Sequence, residues 1–130
     1  MATEILLNDG GAPARILPFT AAEDVTAGNL LAVDSNGKVI NADSGDTGYD
    51  FAGIGFALTT ISSGNIVSVI TGKGVVLNIN AADVEEGVAL MMGTTAGRML
   101  TATNAAGAPL CQAVCLEDTG AAGLTRAITV

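Results

Sequence analysis

The chain has 130 residues, a formal net charge of −8, 49% hydrophobic residues and only 14% charged ones. That length suits one domain able to bury roughly two-thirds of its unfolded surface. The basic residues Arg15, Lys38, Lys73, Arg98 and Arg126 are scattered, which argues against nucleic acid or an anionic membrane as partner, since both demand clustered cations.

Helices carry their solvent face on Lys, Glu and Arg, so a chain this poor in charge and this rich in Gly, Thr, Ser and Val reads as all-β. The expected fold is a small β-barrel or sandwich of short antiparallel strands, because closure hides strand edges. Residues 1–13 stand apart as an extended N-terminal arm, with Gly10-Gly11, Pro13 and no clear period, ahead of a single β-domain over 14–130. The arm nevertheless holds Ile5, Leu6 and Leu7, and an apolar trio on an arm needs a cover. Such arms complete a partner's sheet through backbone hydrogen bonds, so Ile5–Leu7 are expected to touch another chain. Ile16, Leu17 and Phe19 either extend that gripping surface or form the first core strand. The early Glu4 and the lack of a basic stretch argue against a secretory signal, and no apolar run approaches the ~20 residues of a membrane span.

Runs bounded by Gly, Asn, Asp and Ser predict strands at 14–19, 29–33, 38–42, 51–58, 65–71, 74–79, 88–92, 98–102, 110–116 and 124–130. Asp34-Ser35-Asn36-Gly37 reads as a hairpin turn. Ser62-Ser63-Gly64-Asn65 is a second tight connection, and Gly72-Lys73-Gly74 is expected to turn another hairpin. Val75, Leu77 and Ile79 alternate as one buried face. In the last strand, by contrast, Leu124, Ile128 and Val130 share a face with Arg126. The one helical candidate is a turn at Asn80–Glu86, capped by Asn80. The Met91-Met92 pair suits either a subunit boundary or core filling.

A faint repeat runs through the chain. Residues 24–42 align with 83–102: Asp24-Val25 with Asp83-Val84, Gly28 with Gly87, Leu31 with Leu90, and Gly37-Lys38 with Gly97-Arg98 after one insertion. The same offset pairs Gly64 with Gly123, and Val67 and Val69 with Arg126 and Ile128, suggesting an internal duplication of 24–70 and 83–130.

Chemistry is hard to find. With no His the commonest proton shuttle is missing, and no catalytic motif takes its place, so the chain does not read as an enzyme. Gly53-Ile54-Gly55 lacks the third glycine of a dinucleotide fingerprint, and Gly72-Lys73-Gly74 lacks phosphate-loop spacing. Asp43, Asp46 and Asp50 form an acidic loop, read as solvated rather than as a calcium site because the spacing misses the EF-hand rhythm. Cys111 and Cys115 on one strand would lie roughly 13 Å apart, too far to bridge. They read as small buried hydrophobes, and no metal or cofactor is expected. A biotinyl- or lipoyl-type carrier is an alternative, on the strength of Val25-Thr26-Ala27-Gly28-Asn29-Leu30-Leu31, but Lys73 sits between glycines and not in a carrier's modification motif.

Taken in order, Gly55-Phe56-Ala57, Ser63–Val69, Gly74-Val75-Val76-Leu77, Val84–Leu90, Leu110–Leu116 and Leu124–Val130 resemble a family of small tailed-phage capsid cement, or decoration, proteins. The resemblance covers about 60% of the chain, over 53–130. It implies a structural virion protein, a homotrimer seated on the outer capsid surface between capsomers, with the major capsid protein and its own copies as partners. It further implies that the expanded shell is stabilised by preferential binding. Ile5, Leu6, Leu7, Ile16, Leu17 and Phe19 are the expected contacts with the capsid or a neighbouring subunit, and a tail or head-fibre component is the alternative of similar build. An acidic protein also suits the outside of a DNA-filled shell better than the inside.

Overall fold

The computed structural model describes residues 5, 14–43, 53–93, 95–101, 111–118 and 120–130. The protein is all-β, with ten strands: β1 (Arg15–Thr20), β2 (Leu30–Val33), β3 (Val39–Asn41), β4 (Gly53–Ala57), β5 (Ile66–Thr71), β6 (Val76–Ala81), β7 (Ala89–Met92), β8 (Met99–Thr101), β9 (Cys111–Cys115) and β10 (Gly123–Thr129). All ten predicted strands are present, each end within two residues of its expected place. The turn chemistry explains this accuracy. At the β2–β3 hairpin, for example, the Asp34 carboxylate accepts from the N–H groups of Asn36 and Lys38 at 2.8 and 3.0 Å.

The strands divide into two five-stranded sheets. The first has the order β1-β5-β4-β2-β3, and the second is a closed barrel, β10-β6-β8-β7-β9. Strand for strand the two have one plan: β1 with β6, β2 with β7, β3 with β8, β4 with β9 and β5 with β10 occupy the same places. Every neighbouring pair is antiparallel except the closing one. The barrel closes through the parallel pair Ala81–Met99, and the edges of the first sheet meet at a parallel bridge, Ala21–Val39. Individual backbone bonds match as well. Gly28 N–H donates to Ala57 O and Gly87 N–H to Cys115 O, both at 2.8 Å. Leu58 N–H reaches Ser68 O, and Leu116 N–H reaches Arg126 O, both at 2.9 Å.

Two apolar clusters follow from this plan. Val25, Leu31, Val39, Val67 and Val69 fill the first sheet's concave side. Their strand neighbours Leu30, Ala32, Phe56 and Ile70 point the other way and join Leu77, Ile79, Leu90 and Met99 in a larger cluster spanning both sheets. Alternation thus buries both faces of β2 and β5. Fully burying a side chain of this size contributes roughly 1.5–3 kcal/mol.

Two expectations need correction. Gly72-Lys73-Gly74 is not a hairpin: β5 belongs to the first sheet and β6 to the second, so this segment carries the chain from one to the other. The helical turn at Asn80–Glu86 is absent, because β6 continues through Asn80 to Ala81. The tertiary ladder to β10 overrides that weak local signal. In β10 the buried face is Thr125, Ala127 and Thr129, while Leu124 and Arg126 are exposed. Leu77 and Ile79 already fill the barrel from the adjoining strand, so small residues fit opposite them better than large ones. Met91 and Met92 are buried within the chain. Cys111 and Cys115 bound β9, and Cys115 is a free, buried thiol.

Candidate interaction surface

A line of polar groups runs between the two sheets, buried at Asn29 and exposed at Glu23. Arg98 Nε donates to Asn80 Oδ1 at 3.2 Å, and Asn80 Nδ2 donates to Asn29 Oδ1 at 2.9 Å. Asn29 Nδ2 then donates to Asn41 Oδ1 at 2.9 Å, and Asn41 Nδ2 reaches Glu23 Oε2 at 2.6 Å. Each amide donates in the same direction, from guanidinium to carboxylate, an arrangement in which bonds polarise one another. Asn80 and Arg98 come from the second sheet, the other three from the first, so the line fastens the sheets together. Gly97 allows it: a Cβ there would stand 2.5 Å from Asn29 Nδ2. Sequence reading noticed Asn80 only as a helix cap, because nothing in the spacing of Glu23, Asn29, Asn41, Asn80 and Arg98 shows that they meet.

The outward surface is different. β1 pairs with β5 so that Ile16, Pro18 and Thr20 stand opposite Ile70, Ser68 and Ile66. Directly opposed residues share a face, and this one is free of charge. At its Ile70 end it is buried in the shared cluster. It opens to solvent at Ile16, 47% exposed across from Ile70, and at the other end at Ile66, 58% exposed. Large apolar side chains left open on one face make it a candidate contact surface. Beside Ile70, a cleft of about 290 Å³ lies where the sheets meet, with Ile54, Phe56, Lys73 and Val130 in its walls.

The six expected contact residues fall into three groups. Ile5 is 4% exposed and lies in the chain's own core, with its carbonyl accepting from Asn78 N–H at 2.7 Å. That corrects the expectation that Ile5 reaches another chain: the edge of β6, which pairs with β8 only at Ala81, takes Ile5 at Asn78. Leu6 and Leu7 lie outside the described residues. Ile16 and Leu17 are exposed on β1, while Phe19 packs against the first sheet's cluster. Ile66, the most exposed large apolar residue of the described chain, was missed; its position at the start of a strand that is otherwise core gave no signal.

No group of three or more His, Cys, Asp or Glu converges on a metal position among the described residues. Of the acidic loop only Asp43 is described, so its reading as solvated or calcium-binding lies outside the described residues. Lys73 sits on the crossover between sheets and not on a hairpin tip, which removes the geometry a biotinyl or lipoyl carrier uses. The Cys115 thiol donates to Glu117 O at 2.9 Å. Burial chiefly, with help from the carboxylates of Glu117, Asp118 and Glu86, holds its pKa above the ordinary thiol value. It is therefore kept protonated, the opposite of an activated nucleophile.

No protein-family model matches the sequence. A search of curated proteins likewise finds no match. Among solved structures the fold is similar to the crystal structure of the head fiber gp8.5 N base of bacteriophage phi29, with a TM-score of 0.63 and 17% sequence identity. The alignment covers 90% of this chain and 94% of that one.

Proposed function

We propose that this chain is a structural, non-enzymatic protein of a phage head, attached to the outer surface of the shell and working by contact with other protein subunits. The observation that carries this reading is the near end-to-end likeness to a phage head-fibre base. It agrees with the motif resemblance to capsid cement proteins over 53–130 and with the acidic charge. The described surface offers an apolar contact face and no catalytic group, as a purely structural role requires.

Within this reading the chain forms a homotrimer that binds the major capsid protein. Closed rotational symmetry presents three copies of each weak contact, and linked contacts gain avidity of about 10²–10⁴ without one strong interface. We take the two sheets as products of an internal duplication of 24–70 and 83–130, with β1 and β6 added upstream of each copy.

Two roles share this architecture. A cement protein stabilises the expanded shell; the base of a head fibre needs only to stay attached, and the likeness to the phi29 base favours that second role. Mixing the purified protein with expanded heads that lack it, then sedimenting and heating them, tests both. Co-sedimentation is expected. A raised disruption temperature assigns cement, an unchanged one assigns a fibre base, and failure to bind heads removes the proposal.

A further inference from the structure

We propose that the contact joining the two sheets inside the chain is repeated between chains, linking copies head to tail into a closed ring. Inside the chain, the turn at Gly28 in the first sheet sits on the outer edge of β6 in the second. Asn80 N–H donates to Gly28 O at 2.8 Å, and Leu30 N–H donates to Gly97 O at 2.9 Å. Leu124 lies over this turn so closely that a Cβ on Gly28 would meet its Cδ2 at 2.6 Å. The contact therefore uses one turn, one strand edge, one hairpin and one covering leucine.

Because the two sheets share one plan, each of these parts has a counterpart. Among the described residues, the counterparts are the ones left unused. Gly87 stands where Gly28 does, with φ of 82° against 90°, but Gly28 is buried and Gly87 is exposed with open space around it. Thr20 on β1 stands where Asn80 does on β6: Thr20 is opposite Ile66 as Asn80 is opposite Leu124. Among the described residues no hydrogen bond beyond the β5 ladder reaches the backbone of Ile16, Pro18 or Thr20. Gly37 stands where Gly97 does, with φ of 77° against 78°, and is also open. Ile66 stands where Leu124 does and is more exposed, 58% against 37%.

A turn that fits an edge, with both types present in unoccupied form, is a heterologous interface with one free end of each kind. Such an interface grows until it closes into a ring or runs on as a filament. Here the Gly87 turn of one copy seats on β1 and β5 of the next. Thr20 N–H takes the Gly87 carbonyl, and Ile66 covers the glycine. The flanking charges agree, since Glu85 and Glu86 ride on the turn and Lys38 follows the Gly37 hairpin. Pro18 occupies the position of Asn78, whose N–H is taken by Ile5. Having no N–H, Pro18 cannot receive a second arm, which keeps this edge for the turn. The ring size of three rests on the trimer proposed above; the contact itself does not.

The test uses the full chain in solution, without heads. Light scattering should give about three times the 12.8 kDa chain mass. Ile66→Cys and Glu86→Cys proteins, each carrying the native cysteines, are oxidised singly and as an equal mixture. The mixture should give a disulfide-linked pair and each protein alone none, with the wild type as background. Ile66→Asp should be monomeric with an unchanged circular dichroism spectrum. Self-linking of either single variant, or a wild-type monomer at high concentration, overturns the head-to-tail contact. A ring that ignores phage heads sinks the functional reading and leaves this inference standing; a monomer that binds heads does the reverse.

Discussion

The two sheets follow one strand plan, and they differ in what covers them. In the barrel, the edge of β6 is closed by Ile5 from the arm and by the Gly28 turn. In the first sheet the corresponding edge, β1, shows exposed Ile16 and Leu17. Identical topology with unequal burial shows that the strand plan sets where edges lie, whereas the side chains decide how far each edge is covered.

The largest effect that would sharpen this contrast lies in the paired leucines of β1 and β6. Leu77 is fully buried, and its counterpart Leu17 is 41% exposed. Leu77→Ala should cost about 3 kcal/mol in urea unfolding through the cavity it leaves, and Leu17→Ala at most about 1 kcal/mol. Equal costs would break the comparison. Asn29→Ala comes next. It removes one acceptor and one donor from the line between the sheets, so Asn41 and Asn80 each lose a partner, for a loss of about 2 kcal/mol.

A gain is expected at Thr125. Its hydroxyl is buried and has no hydrogen-bond partner, while its counterpart in the first sheet is Val67. Thr125→Val should therefore raise stability by about 1 kcal/mol, as a higher urea midpoint with an unchanged slope. The smallest effect is the pH dependence from Cys115, whose counterpart is Ala57. Its folded pKa is raised, so the unfolded thiol ionises first as pH climbs. The stability it contributes is whole below the ordinary thiol pKa and is lost as pH rises through the folded value. Cys115→Ala should flatten that alkaline decline.

Much of the fold was legible because local chemistry marks it. Gly28, Gly37, Gly64, Gly87 and Gly97 all have positive φ, so turn glycines marked the starts of β2, β3, β5, β7 and β8 and carried the repeat. The pairing of Val67 with Arg126 is off by one residue, however: Ser68 stands where Arg126 does and Val67 where Thr125 does. The repeat faded upstream, since Arg15–Thr20 and Val76–Ala81 share a place in the sheet and almost no residues. Sheet membership was not legible: Gly72-Lys73-Gly74 has the composition of a hairpin whether or not its strands pair. The candidate contact surface was half legible. Ile16 and Leu17 were named as candidates and are exposed. Ile5 was misjudged because only the tertiary structure shows that β6 has an edge to fill. Ile66 escaped notice because burial within β5 changes sides partway along the strand.

The account's central claim is that this protein works on a phage head by presenting its surfaces to other subunits. Electron microscopy of heads carrying the protein tests it most directly. The prediction is density on the outside of the shell, between capsomers, formed by three chains whose six sheets make a ring. Density inside the shell, or heads that bear none of the protein, would contradict it.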